Sequence, residues 1–161
     1  MAGANYTIAP VRTKADVEAA AELFRAYASS LGIDLAYQDF ESELAALPGK
    51  YAPLTGELFL ARDVQENALG CVGLRQLDPI SCEMKRLYVS PQGRGLGLGK
   101  ALIDATIEIA IQLGYREMRL DTLSTMTAAI SLYRKAGFVE IPPYFETPLE
   151  GNIFMSRALG L

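Results

Sequence analysis

Histidine is absent from this chain of 161 residues. Its absence removes the commonest general base at neutral pH and the commonest metal ligand. Acid–base chemistry must then come from carboxylates, tyrosine, water or the substrate, and no metal is expected. Long apolar runs are missing too. The longest are too short and too interrupted to span a bilayer, and the first residues lack a signal-peptide core, so no membrane association is expected. A basic excess is also lacking. Acidic residues outnumber basic ones by 19 to 15, which argues against a nucleic-acid footprint. Cysteine is scarce: Cys71 and Cys82 are the two present. They are most economically free core thiols in a reducing cytosol, and a cytoplasmic location is expected. There are no repeats, linkers or low-complexity segments. With 50% apolar residues, residues 1–161 are expected to form one domain, which at this size buries about two-thirds of the surface its unfolded chain exposes.

What is present is glycine in one place. Gln92-Gly93-Arg94-Gly95-Leu96-Gly97-Leu98-Gly99 lies between a strand-like run, Met84 to Val89, and a helix-like run, Lys100 to Leu113. A glycine turn leading from a strand into a helix is a natural anion site. Bare N–H groups converge there, the helix dipole adds positive charge, and glycine lets a ligand approach the main chain. Arg94 adds a guanidinium suited to phosphate. A plain flexible turn is the competing reading, but glycines alternating with Arg94, Leu96 and Leu98 make a poor linker. The spacing excludes two common phosphate motifs. A Rossmann fingerprint needs glycine where the chain has Leu98 or Lys100. A P-loop needs glycine at position 94 and Ser or Thr at position 101, where the chain has Arg94 and Ala101.

Elsewhere the pattern alternates. Tyr6 to Val11 reads as a strand. Thr13 with Asp16 resembles a capping box, and Val17, Phe24, Tyr27 and Leu31 then recur at helical spacing up to Gly32. Gln38 to Leu47 is a shorter helix. Asp39, Glu41 and Glu43 lie off its apolar face and read as a solvated face rather than a lure for a cationic amine. Glu57 to Asp63, Ala68 to Leu77 and Cys82 to Val89 form a strand meander. In the helix after the glycine loop, Lys100, Asp104, Glu108 and Gln112 make one polar stripe. Met118 to Thr122 is a strand. A helix then begins at Ser124 or Thr125 and ends at Gly137, and Phe138 to Ile141 and Ile153 to Ala158 are the last strands.

Gln92-x-x-Gly95-x-Gly97, at the end of the strand closing in Leu87-Tyr88-Val89, resembles the acyl-CoA loop of the GNAT superfamily of N-acyltransferases. Leu132-Tyr133-Arg134-Lys135-Ala136-Gly137-Phe138 resembles that superfamily's late helix-to-strand element. The resemblance implies an α/β fold with a mixed sheet of about seven strands, splayed open beside the glycine loop, with helices on both faces. It implies acetyl-CoA as donor and direct attack by an amine of a small molecule or peptide in a ternary complex. Backbone groups from Arg94 through Leu96, Gly97, Leu98 and Gly99 would hold the pyrophosphate, with Gln92, Gly93 and Lys100 completing the loop. Main-chain groups of Leu87, Tyr88 and Val89 would pair with pantetheine, and one of their N–H groups would serve the oxyanion. Met126 would lie near the CoA arm. Many members have asparagine there, whose hydrogen bond Met126 cannot make.

Tyr133 sits at the position that in many members protonates the departing thiolate. Its competing role is packing, because Met126, Ile130 and Tyr133 share helical spacing. Glu83 is the base expected from the resemblance, on the face of Leu87 and Val89 by alternation. An ion pair with Lys85 would weaken it as a base. Tyr37, Tyr51, Tyr144, Phe145 and Glu146 fall where such folds build the acceptor side. A homodimer is compatible with the resemblance. The alternatives are a non-catalytic acyl-CoA-binding sensor and an unrelated nucleotide-binding protein.

Overall fold

The structure is a computed structural model that describes residues 5–32 and 39–160. A sheet of seven strands, in the order β1-β2-β3-β4-β5-β7-β6, forms its centre. The strands are β1 (Tyr6–Pro10), β2 (Glu57–Asp63), β3 (Ala68–Asp78), β4 (Ser81–Val89), β5 (Glu117–Leu123), β6 (Val139–Ile141) and β7 (Asn152–Ala158). The helices are α1 (Lys14–Leu31), α2 (Phe40–Ala46), α3 (Leu98–Gln112) and α4 (Thr127–Lys135). Neighbouring strands pair antiparallel except β4 and β5, which are parallel. A parallel pair needs a crossover, and α3 supplies it.

The helix ends follow from local chemistry. Thr13 Oγ1 accepts from the Asp16 N–H at 3.1 Å, and the Asp16 carboxylate accepts from the Arg12 and Thr13 N–H groups. Gly32 closes α1 in the left-handed conformation, where glycine carries no Cβ penalty. The polar stripe of α3 faces water, with Lys100 Nζ 2.6 Å from Asp104. Its other faces pack on the sheet. Two expected starts shift. The last helix begins at Thr127, after a turn in which the Met126 N–H donates to Leu123 O. The α2 helix begins at Phe40, and Gln38 lies outside the described residues.

The sheet separates two cores. On one face Leu102, Ile103 and Ile107 of α3 pack with Val72, Leu74 and Met84, joined by Tyr133 and Phe138. On the other, Leu23 and Phe24 of α1 and Phe40 of α2 pack with Leu58, Leu60 and Cys71. Cys71 and Cys82 are both free and buried.

One irregularity in β4 reorganises the site. Lys85 pairs with Gly73, but Tyr88 pairs with Cys71. Three residues of β4 therefore advance against two of β3, which is a β-bulge. Arg86 takes the strained step, at φ 61°. Gly73 and Cys71, two apart, point to the same face, so Lys85 and Tyr88 do too. Glu83, opposite Arg75, shares that face. Leu87 and Val89 instead pack into the α3 core. The expectation that Glu83 lies on the face of Leu87 and Val89 is thus corrected: simple alternation does not survive the bulge.

Candidate functional site

The ladder joining β4 to β5 is short. It runs from Ser81 to Glu83 on one strand and from Glu117 to Arg119 on the other. Beyond it the strands part, and a cleft opens between Met84–Leu87 on one wall and Asp121–Leu123 on the other. Ala129 and Tyr133 of α4, with Met126 at its N-cap, line it, as do Tyr27 and Leu31 of α1. A bulge increases local twist, which accounts for the parting on the β4 side.

The glycine loop follows β4. Pro91–Gly93 is a single 3-10 turn, and Gly97 is the N-cap of α3. Gly95 and Gly97 have φ of 82° and 75°, a region that other residues enter only with strain. A Cβ at either would meet nothing within 4 Å, so the space over the loop is open. At Gly93 and Gly99 a Cβ would press on the Leu98 and Leu132 side chains at 2.9 and 2.8 Å. One pair of glycines thus sets the curve of the loop, and the other lets it pack close. The N–H groups of Gly95, Leu96, Gly97, Leu98, Gly99 and Lys100 donate to no described residue. They form a concave run of free donors at the positive end of a 15-residue helix. Gln92, Arg94 and Lys100 are exposed around it. The residues fit a phosphate-bearing ligand.

Tyr133 is buried to 7% exposure, with its ring edge-on to Phe138 at 5.9 Å. It therefore packs and lines the cleft at once. Its hydroxyl bonds to no described residue. Burial, aided by the nearby Tyr27 and Asp121, holds the phenol above the ordinary tyrosine value, so it keeps its proton at neutral pH. Met126 also lines the cleft.

The α1 side of the cleft is charged. Glu83 has 0% exposure and both oxygens in use. Arg75 Nε donates to Oε1 at 2.7 Å, and the Tyr144 hydroxyl donates to Oε2. In the competing reading Glu83 pairs with Lys85; its partner is Arg75, and Lys85 Nζ lies 3.7 Å from Asp121 Oδ1, across the cleft. Burial holds the Lys85 ammonium below the ordinary lysine value, against the pull of Glu83 and Asp121. Burial, then Glu83, raises the Tyr144 phenol. Arg86, at 3% exposure, makes a two-pronged bond to Glu43 at 2.9 Å on each side. Its guanidinium lies over the rings of Phe40 and Tyr27 at 5.2 and 5.9 Å.

The expectation that Glu43 belongs to a solvated face is therefore corrected. Glu43 crosses to the sheet and also accepts from the Tyr51 hydroxyl at 3.0 Å. Asp39 and Glu41 are exposed. Tyr144, Phe145 and Glu146 border a cavity beside Glu83, whereas Tyr51 is core and Tyr37 lies outside the described residues. Arg75, Arg86 and Asp121 line these spaces without having been singled out from sequence. The available signal was charge within otherwise apolar strands, at Arg75 in β3 and Lys85-Arg86 in β4.

A family model described as Acetyltransferase (GNAT) family matches residues 18–138. An uncharacterised N-acetyltransferase of Schizosaccharomyces pombe is 39% identical over 156 residues, covering 96% of each chain. Another, from Dictyostelium discoideum, is 31% identical and covers 81% of this chain and 88% of that one. The crystal structure of a GNAT-family acetyltransferase from Staphylococcus aureus superposes with a TM-score of 0.80 at 24% identity, covering 96% of this chain and 99% of that one.

Proposed function

This chain belongs to the GNAT family of acetyltransferases, and from that premise we propose that it moves an acetyl group from acetyl-CoA to an amine by direct attack within a ternary complex. Residues 1–161 would work as one domain. The observation that carries the reading is the run of free N–H groups from Gly95 to Lys100, in the loop that follows β4, the strand whose Met84–Leu87 stretch walls the cleft holding Tyr133.

The loop amides and Arg94 bind the pyrophosphate, with Gln92, Gly93 and Lys100 around it. The β5-facing edge of β4 from Leu87 through Tyr88 to Val89 pairs with no described strand and takes the pantetheine arm. One of its N–H groups steadies charge on the acyl oxygen. Met126 lies along the arm as an apolar contact. Tyr133 gives its proton to the departing sulfur; burial keeps it protonated at neutral pH and makes it a weaker acid than an exposed phenol. Glu83 takes the amine's proton by way of the Tyr144 hydroxyl, which already donates to it. No covalent enzyme intermediate is needed. Burial raises both thiols, Cys82 to about 12, so neither is a ready nucleophile.

The test is titration with acetyl-CoA, followed by thiol release with amines, amino acids, polyamines and peptide N-termini. Binding with turnover is expected. Binding without turnover across the panel would favour an acyl-CoA sensor.

A further inference from the structure

Arg75 is held in an unusual way. Its Nε is spent on Glu83 at 2.7 Å. The other Glu83 oxygen is taken by Tyr144, and the carboxylate is fully buried, so it cannot swing to cover the rest of the guanidinium. The two terminal nitrogens of Arg75 donate to no described residue. The side chain keeps 27% exposure and faces a cavity of about 310 Å³. Leu77 and Phe145 form apolar wall, and Lys85 and Arg86 lie at the end that also borders the splayed cleft.

The charge in this cavity is informative. Its carboxylates Glu43 and Glu83 are already bound by Arg86 and Arg75. Glu146 is the exposed carboxylate at its border. An ammonium-rich acceptor would meet the unspent terminal nitrogens of Arg75, whereas Arg86 and Lys85 already face Glu43 and Asp121. An acceptor carrying a carboxylate would find a flat, two-pronged donor whose orientation is already fixed.

We propose that the acceptor is an amine that also bears a carboxylate, and that this carboxylate docks on the terminal nitrogens of Arg75. The inference rests on the N-acetyltransferase reading. Arg75 binds the acid end, and the amine points toward Lys85 and Arg86, the residues shared with the cleft.

The test uses the intact enzyme, with CoA present for the binding measurements and acetyl-CoA for turnover. Calorimetric binding and thiol-release rates are measured for glycine, β-alanine, aspartate and glutamate. Each is compared with its methyl ester or amide, and with spermidine and ethanolamine. The free acids are expected to be preferred over their esters by at least 30-fold in kcat/KM. Arg75→Lys keeps a cation opposite Glu83 but loses the fork. It should raise KM for the acids about tenfold more than KM for their methyl esters. Equal use of acids and esters, preference for spermidine, or no binding of any acid would overturn the proposal. Arg75-dependent binding of the acids without thiol release from any amine would overturn the acetyltransferase reading and leave the Arg75 site standing.

Discussion

The glycine loop and the charged floor of the cleft are built from opposite materials. The loop presents backbone. Its donors are the amides of Gly95 to Lys100, and its side chains chiefly keep out of the way. The floor presents side chains fixed by one another: Glu43 on Arg86, Arg75 on Glu83, Tyr144 on Glu83 and Lys85 near Asp121. A backbone site asks only for a curve and tolerates little else. A side-chain network asks for several long residues to be held at once, and failing one partner strands another in a low dielectric. The loop suits a ligand feature that never varies, and the floor suits one that sets specificity.

Tyr133 stands between the two regions, and its removal should have the largest effect. Tyr133→Phe deletes one oxygen from a ring that otherwise packs on Phe138. Loss of a general acid typically slows turnover by about two to four decades. CoA affinity and thermal stability should hardly move. Near wild-type turnover in this variant would make Tyr133 a packing residue alone.

The floor should break through stability. In Glu43→Gln, the buried Arg86 keeps the rings of Phe40 and Tyr27 but loses its two-pronged carboxylate. Removing one member of a buried pair costs about 3–5 kcal/mol. Glu43 retains some solvent, so the low end is expected, near 3 kcal/mol and roughly 6–12 °C in Tm for a chain of this size. A loss below about 1 kcal/mol would place the pair in the class of ordinary surface ion pairs.

The two regions also differ in how legible they were. Glycines at 95 and 97 record a left-handed backbone and Gly93 a close approach to Leu69 O and Leu98, whereas Gly99 meets only the movable tip of Leu132. Residue type therefore reports geometry directly, and the strand–loop–helix junction could be placed from sequence. So could the sheet, whose meander and helix caps follow local rules. The floor could not. The bulge puts a left-handed conformation on Arg86, a residue type that carries no such signal, and one extra residue moves Glu83 away from the face of Leu87 and Val89. Glu43 looks the same in sequence whether it meets water or a guanidinium 43 positions away.

The loop should break through binding, by a smaller margin per side chain. Arg94→Ala removes one charge-assisted contact, worth about 1–3 kcal/mol of CoA affinity, and leaves the amides in place. Gly97→Asp should do more than its modest strain implies, because it brings a negative charge to the amides meant for phosphate. Calorimetry with CoA on folded variants measures both. Unchanged affinity in Gly97→Asp would remove the loop from the binding site.

The smallest effect expected concerns the cap of α1, the helix that covers the floor. Asp16 accepts from the Arg12 and Thr13 N–H groups and pairs with Arg62 at 2.8 Å. The backbone bond from Arg12, with help from Thr13 and Arg62, holds its carboxyl below the ordinary aspartate value despite some desolvation. A carboxyl whose folded value is depressed binds fewer protons folded than unfolded. Its stabilisation is therefore complete above the unfolded value, near 3.9, and is lost as pH falls through the lower folded value. Asp16→Ala should cost about 0.5–2 kcal/mol at pH 7, the range for losing a helix cap. The gap between variant and wild type should stay constant down to about pH 4.5 and narrow below it as the carboxylate is protonated. Urea unfolding of both proteins from pH 7 to the lowest pH at which wild type remains folded measures this. A gap that stays constant through the acid range would mean that Asp16 supports α1 by packing rather than by charge.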